Sequence, residues 1–139
     1  MDHASTMRRL YELLSAGDID GFGDHISEDF VEHEVMPGLE PSKDGVKQMV
    51  RMYRAAFPDL RMEAEDVLVS GDKVVARVRV TGTHQGEFMG MPATGKSADV
   101  RLIDIIRFGE DGLARERWGL FDALALMQQL GAIPAPAPA

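Results

Sequence analysis

Val100-Arg101-Leu102-Ile103-Asp104-Ile105-Ile106-Arg107-Phe108-Gly109-Glu110-Asp111-Gly112-Leu113 reads as a strand and the turn that ends it. Its β-branched content and alternation put Val100, Leu102, Ile106 and Phe108 on one face, because successive strand side chains point to opposite sides. Asp104 falls in that apolar row. An ionised carboxylate buried without a partner costs several kcal/mol, so Asp104 is paired, protonated or facing a cavity where something uses it. The strand as a whole reads from Ala98 to Phe108, and the Gly-Glu-Asp-Gly turn at 109–112 then returns the chain into a last strand, Leu113 to Phe121.

The pattern extends upstream. Arg61 to Ser70 and Lys73 to His84 read as two strands joined by Gly71-Asp72, a pair that favours a two-residue hairpin. Phe30 to Val35 reads as a short strand. Helical spacing appears over 4–16 (Met7, Leu10, Tyr11, Leu14), with Ser5 or Thr6 as cap and Gly17 as stop. Asp18 caps a short second helix that carries Ile19, Phe22 and Ile26 inward. A third helix opens at Pro41-Ser42, carries Val46, Met49, Val50, Tyr53 and Phe57 on one stripe, and stops at Pro58. Residues 122–130 form a last short helix. Helices followed by a run of strands give an α+β fold: a cone-shaped α+β barrel, its curved antiparallel sheet covered by the N-terminal helices around one deep pocket. Residues 1–131 are expected to form a single domain, and the Ala/Pro-rich segment 132–139 a disordered or extended tail.

Pairing across the turn supplies Asp104 with a partner. With Phe108 opposite Leu113, Ile106 faces Arg115, Asp104 faces Arg117 and Leu102 faces Gly119. Two readings follow: a buried ion pair that ties two strands together, or an acid/base carboxylate with a cation beside it. His84 ends the apolar series Val74, Ala76, Val78, Val80 where a loop begins, and serves there as a proton carrier or as a satisfied strand-end residue. His33 alternates with Val31 and Val35 and is expected to point inward. Asp122 is a second proton carrier or the cap of the last helix. Asp104, His84 and Arg117 are thus the catalytic candidates, with His33, Met49, Tyr53, Leu102, Gly119 and Phe121 expected to bind substrate.

Composition narrows the class. A net charge of -8 repels nucleic acid and anionic membrane surfaces, so neither is an expected partner. No apolar run is long enough to span a bilayer and the N-terminus has no secretory pattern, which points to the cytoplasm. Without cysteine there are no disulfides or thiolate sites. His33, His84 and Asp104 lack any short-range ligand spacing, and no phosphate loop or nucleophile elbow is present, so no metal, no nucleotide and no serine nucleophile are expected.

The stretch Gly82-Thr83-His84-Gln85-Gly86-Glu87-Phe88-Met89-Gly90-Met91-Pro92-Ala93-Thr94-Gly95-Lys96, then Arg107-Phe108, Asp111-Gly112, Trp118-Gly119-Leu120-Phe121-Asp122 and Gln129-Leu130-Gly131, resembles the SnoaL-like polyketide cyclases of the nuclear transport factor 2-like superfamily. The resemblance implies a cofactor-free enzyme acting on a bulky, hydrophobic, polyketide-like molecule, a homodimer, and ring closure by intramolecular aldol condensation under acid/base catalysis. It also implies a departure. The family's catalytic aspartate matches Gly119 here, and a histidine matches Asp104, so the acid/base role passes to Asp104, with Arg117 steadying an oxyanion and His84 moving the second proton. Other members of the superfamily are similar in fold but are cofactor-independent hydroxylases or epoxide hydrolases with an Asp-Arg-Asp set, and a noncatalytic binding module of the same fold is a further alternative.

Overall fold

The computed structural model describes residues 2–134. Met1 and residues 135–139 of the Ala/Pro segment lie outside the described residues. The chain runs α1 (His3–Ala16), α2 (Ile19–Gly23), β1 (Ile26–Glu32), α3 (Lys43–Ala56), β2 (Arg61–Ser70), β3 (Lys73–Thr83), β4 (Ser97–Phe108), β5 (Ala114–Phe121) and α4 (Ala123–Gln129). Among the described residues one five-stranded sheet forms, in the order β1-β5-β4-β3-β2. No helix among them is long and apolar enough to cross a membrane.

Local chemistry sets most boundaries. The side chains of Asp18, Ser42 and Asp122 accept the backbone N–H three residues on, capping α2, α3 and α4. α1 begins earlier than its sequence pattern suggests, because Asp2 rather than Ser5 or Thr6 supplies the cap, accepting from the Ser5 N–H at 2.7 Å. Ile26 is buried as expected, but in β1 rather than in the second helix. The α+β class holds, while the sheet is mixed: β1 pairs β5 in parallel and the other neighbours are antiparallel.

The β4–β5 register departs from the expected one by two residues. Asp104 lies opposite Gly119 and Ile106 opposite Arg117. One residue enters at the turn, where the Gly109 N–H bonds Leu113 O and Gly112 takes φ +80, so that Phe108 pairs with Ala114. The second is a bulge: Arg107 pairs with Glu116, which leaves Arg115 as the extra residue. Two single-residue shifts keep every side chain on its expected face while moving it along the strand. Arg115 fills the bulge region by bonding Ser27 (2.9 Å), Asp29 (2.8 Å) and Asp111 (2.6 Å). The β1–β5 register breaks at the same level, between Ile26 and Val31.

The inner sheet face and the helices share the main core, from Met7, Leu10 and Leu14 through Val46 and Val50 to Val74, Val78, Ile106 and Phe108. α4 closes one end. Its Gln129 side chain brackets the Asp99 backbone, accepting from N–H at 2.7 Å and donating to C=O at 2.9 Å, as a neighbouring strand would.

Candidate active site

Between the inner sheet face and the helices lies a cavity of about 370 Å³. Most of its wall is apolar, including Leu10, Met49, Val50, Phe57, Val100 and Leu102. Its polar groups are few: Tyr11 from α1, Tyr53 from α3, Glu34 after β1, Thr81 from β3, Asp104 from β4 and Arg117 from β5. A largely apolar pocket with a small convergent polar corner is the usual form of a small-molecule site.

At that corner one cation meets two carboxylates. Arg117 Nε and Nη2 lie 2.9 and 2.7 Å from Asp104 Oδ1, and Nη1 donates to Glu32 Oε1 at 2.8 Å. Tyr11 Oη donates to Asp104 Oδ2 at 2.7 Å, and Glu32 Oε2 accepts the Glu34 N–H at 3.1 Å. Asp104 and Glu32 are 3% and 1% exposed. Arg117 is a diagonal rather than a direct neighbour of Asp104 and reaches it across Gly119. The glycine makes this possible, since a Cβ there would press on both the Arg117 guanidinium and Asp104 Oδ1.

The environment fixes the protonation of the donors. Burial works against the charge on Arg117, but the Asp104 and Glu32 carboxylates more than offset it and hold the guanidinium above the usual arginine value. Burial, then the Asp104 charge, push the Tyr11 phenol far above the ordinary tyrosine value. Burial also raises the Tyr53 phenol. Both tyrosines therefore remain hydrogen-bond donors at neutral pH.

Of the residues expected from the sequence, Asp104, Arg117, Met49, Tyr53, Leu102, Gly119 and Phe121 all line this cavity. Two histidines do not. His33 lies on the outer face, its Nε2 2.9 Å from Glu116 and its ring stacked on Trp118 at 4.7 Å. The valines misled its phase: Val31 is 39% exposed, while Phe30 and Glu32 face inward. His84 is fully buried beside the cavity wall rather than in it, stacked on Phe57 with Nδ1 accepting the Thr94 N–H at 3.2 Å. There it pins the loop after β3. The structure thus separates both imidazoles from Asp104, and no metal-holding group of three or more His, Asp or Glu side chains occurs among the described residues.

Tyr11 and Glu32 are the residues that sequence reasoning missed. Tyr11 sits on the buried stripe of α1, where a phenol signals a partner to be found, because a buried O–H is nearly always bonded. Glu32 follows Phe30 by two, and the Phe30 phase would have turned it inward.

The family model of the SnoaL-like polyketide cyclases matches residues 4–130. The chain is 28% identical to aklanonic acid methyl ester cyclase DnrD of Streptomyces peucetius, over 95% of this chain and 92% of that protein. Among solved structures, TsrD from Streptomyces laurentii aligns with TM-score 0.84 and 32% identity, over 96% of this chain and 99% of the other. AclR from Streptomyces galilaeus, provisionally described as a hydroxylase, aligns with TM-score 0.82 and 30% identity, over 92% and 80%.

Proposed function

Because the chain belongs to the SnoaL-like polyketide cyclase family, we propose that it closes a ring in a bulky, ester-bearing polyketide by cofactor-free aldol chemistry, with Asp104 as the proton carrier. The observation that carries this reading is the position of Asp104, the one aspartate lining the cavity, with Arg117 and Tyr11 bonded to it.

In this mechanism the Asp104 carboxylate takes the acidic C–H proton between a ketone and an ester carbonyl. The resulting enolate carbon attacks a second carbonyl in the same molecule, a C–C bond forms, and the new alkoxide takes the proton back from Asp104. Atoms and electrons balance without an added oxidant or reductant. A guanidinium has five N–H bonds, and the contacts at Nε, Nη2 and Nη1 leave two of them on Arg117 for enolate oxygen. Tyr53, kept neutral by burial, offers a phenol O–H to the alkoxide. The apolar wall excludes water and folds the chain so that the reacting carbons approach.

The test is turnover of aklanonic acid methyl ester and of simpler aryl β-keto esters that carry a further ketone or aldehyde within ring-closing reach, followed as an isomerisation at constant mass. Asp104→Asn is expected to lower the rate about 100-fold or more, the usual scale of a general acid/base group. Binding without conversion by the unaltered protein, or an undiminished rate in Asp104→Asn, refutes the assignment.

A second reading draws on Glu32. Carboxylate, arginine and carboxylate stand in contact here, similar to the set of the epoxide hydrolases, and the AclR alignment adds a relative provisionally described as a hydroxylase. Glu32, however, does not line the cavity, so it lacks access to an attacking water. Hydrolysis of an apolar epoxide by the purified protein would favour this reading over cyclisation.

The outer sheet face supports a homodimer as the assembled form. Leu68, Ile103 and Leu120 are 65%, 52% and 73% exposed there, beside Trp118. The charges around them are paired within the chain, Arg77 with Asp66, Arg79 with Asp99, Arg101 with Glu65 and Arg107 with Glu116, so a second copy meets little net charge. Ile103→Asp with Leu120→Arg is expected to give a monomer by light scattering, and an unchanged mass rules this face out.

A further inference from the structure

We propose that Glu32, which does not touch the cavity, sets its charge selectivity: by adding a second carboxylate to a guanidinium already paired with Asp104, it makes the polar corner refuse ligands that present a carboxylate. The inference rests on the reading that the cavity takes a small hydrophobic molecule.

An arginine at the end of an apolar pocket is ordinarily a carboxylate receptor, because its planar fork matches two carboxylate oxygens. With Asp104 alone beside it, Arg117 would leave the corner neutral, with Nη1 open to a ligand oxygen. Nη1 is instead committed to Glu32 Oε1 at 2.8 Å, while Glu32 Oε2 is held by the Glu34 N–H at 3.1 Å, so this carboxylate has no freedom to swing away. The corner then holds two carboxylates to one guanidinium, and Glu34 adds a further negative group to the cavity wall. A ligand carboxylate arriving there meets a surplus of like charge in a poorly screened place. A ketone, ester or phenol meets the two remaining N–H bonds and pays no such penalty.

Glu32→Gln keeps the size, the shape and an acceptor oxygen for Nη1; it removes the charge and, because the second oxygen becomes an NH2, the Glu34 N–H contact. The experiment is calorimetric titration of the unaltered protein, Glu32→Gln and Glu34→Gln with a matched pair of probes, methyl anthraquinone-2-carboxylate and the free acid. The unaltered protein is expected to bind the ester more tightly than the acid by about tenfold to a hundredfold, the scale of one like-charge contact at intermediate dielectric. Glu32→Gln is expected to close most of that gap by improving acid binding, with ester affinity held within about twofold, the scatter of a neutral contact. Equal affinity for ester and acid in the unaltered protein overturns the proposal, and needs no substitution to be seen. A gap that survives Glu32→Gln overturns it too. Closure by Glu34→Gln alone moves the selectivity to Glu34 and removes Glu32 from it. If neither probe binds at all, the hydrophobic-ligand reading of the cavity fails and takes this proposal with it.

Discussion

Replacing Arg117 by methionine tests the energetics of the polar corner directly. The substitution keeps an unbranched side chain of similar reach but removes every contact with Asp104 Oδ1 at 2.9 and 2.7 Å and with Glu32 at 2.8 Å. Asp104 and Glu32, 3% and 1% exposed, are then both buried without a cation. Each keeps one neutral donor, the Tyr11 phenol and the Glu34 N–H. Removing one partner of a buried ion pair costs about 3–5 kcal/mol, and this guanidinium serves two carboxylates, so a loss near the upper end is expected. A domain of ordinary stability, about 5–15 kcal/mol, stays folded enough for the loss to be measured. The assay is equilibrium urea unfolding at neutral pH on Arg117→Met, Glu32→Gln with Asp104→Asn, and the triple variant. If stranded charge is the cause, neutralising both carboxylates in the Arg117→Met background recovers more than half of the loss. A cost for Arg117→Met of under about 1 kcal/mol, or no recovery in the triple variant, would refute the account of a charge-coupled buried cluster.

Three further outcomes are expected. Gly119→Ala pushes a methyl group against Arg117 and Asp104, and should cost about 1–3 kcal/mol by thermal melting together with ligand binding; an unaltered melting curve contradicts the close approach. Both tyrosines of the chain, Tyr11 and Tyr53, have raised pKa values, so their stabilisation is complete below the unfolded value of 10.0 and is lost as pH climbs beyond it. Tyrosinate absorbance is therefore expected to appear only together with alkaline unfolding, and a phenol that titrates near its ordinary value in the folded protein would show that one of them is open to solvent. Arg54 donates to the carbonyls of Leu14, Ser15, Pro58 and Leu60 at 3.0–3.3 Å, fastening the end of α1 to the segment after α3. Arg54→Ala should lose about 2–3 kcal/mol in urea unfolding, as expected for charged hydrogen bonds, and a loss within error of zero would make the bracket ornamental.

The two halves of the chain differ in how much of this was legible. β2 carries its expected ends, and β3 and β4 depart from theirs by one residue, because an unbroken period-2 pattern and a Gly-Asp turn are local signals. The same locality explains the caps at Asp18, Ser42 and Asp122. Asp104 announced itself by breaking an apolar row. Its partner was named correctly for an incorrect register, because a turn one residue longer and a one-residue bulge cancel in facing though not in position. β1 runs Ile26–Glu32 rather than Phe30 to Val35, and its phase is misleading because Val31 and Val35 outnumber Phe30 as apolar markers although Val31 is the exposed one. That single slip turned His33 inward and Glu32 outward on paper. The Tyr11–Asp104 bond joins residues 93 apart in sequence, and nothing local to either specifies the other.

Gly119 has a consequence for how sequences of this kind can change. The family resemblance implies an aspartate at the matching position in other members, whereas here the Arg117 guanidinium crosses an empty Cβ site to reach Asp104. The two arrangements compete for the same few cubic ångströms. A step to aspartate at 119 with Arg117 in place collides, and a step away from Arg117 with glycine in place strands two carboxylates. Positions 32, 104, 117 and 119 are therefore epistatic as a set. Passing between the two forms of the site requires that the four change in a restricted order or together.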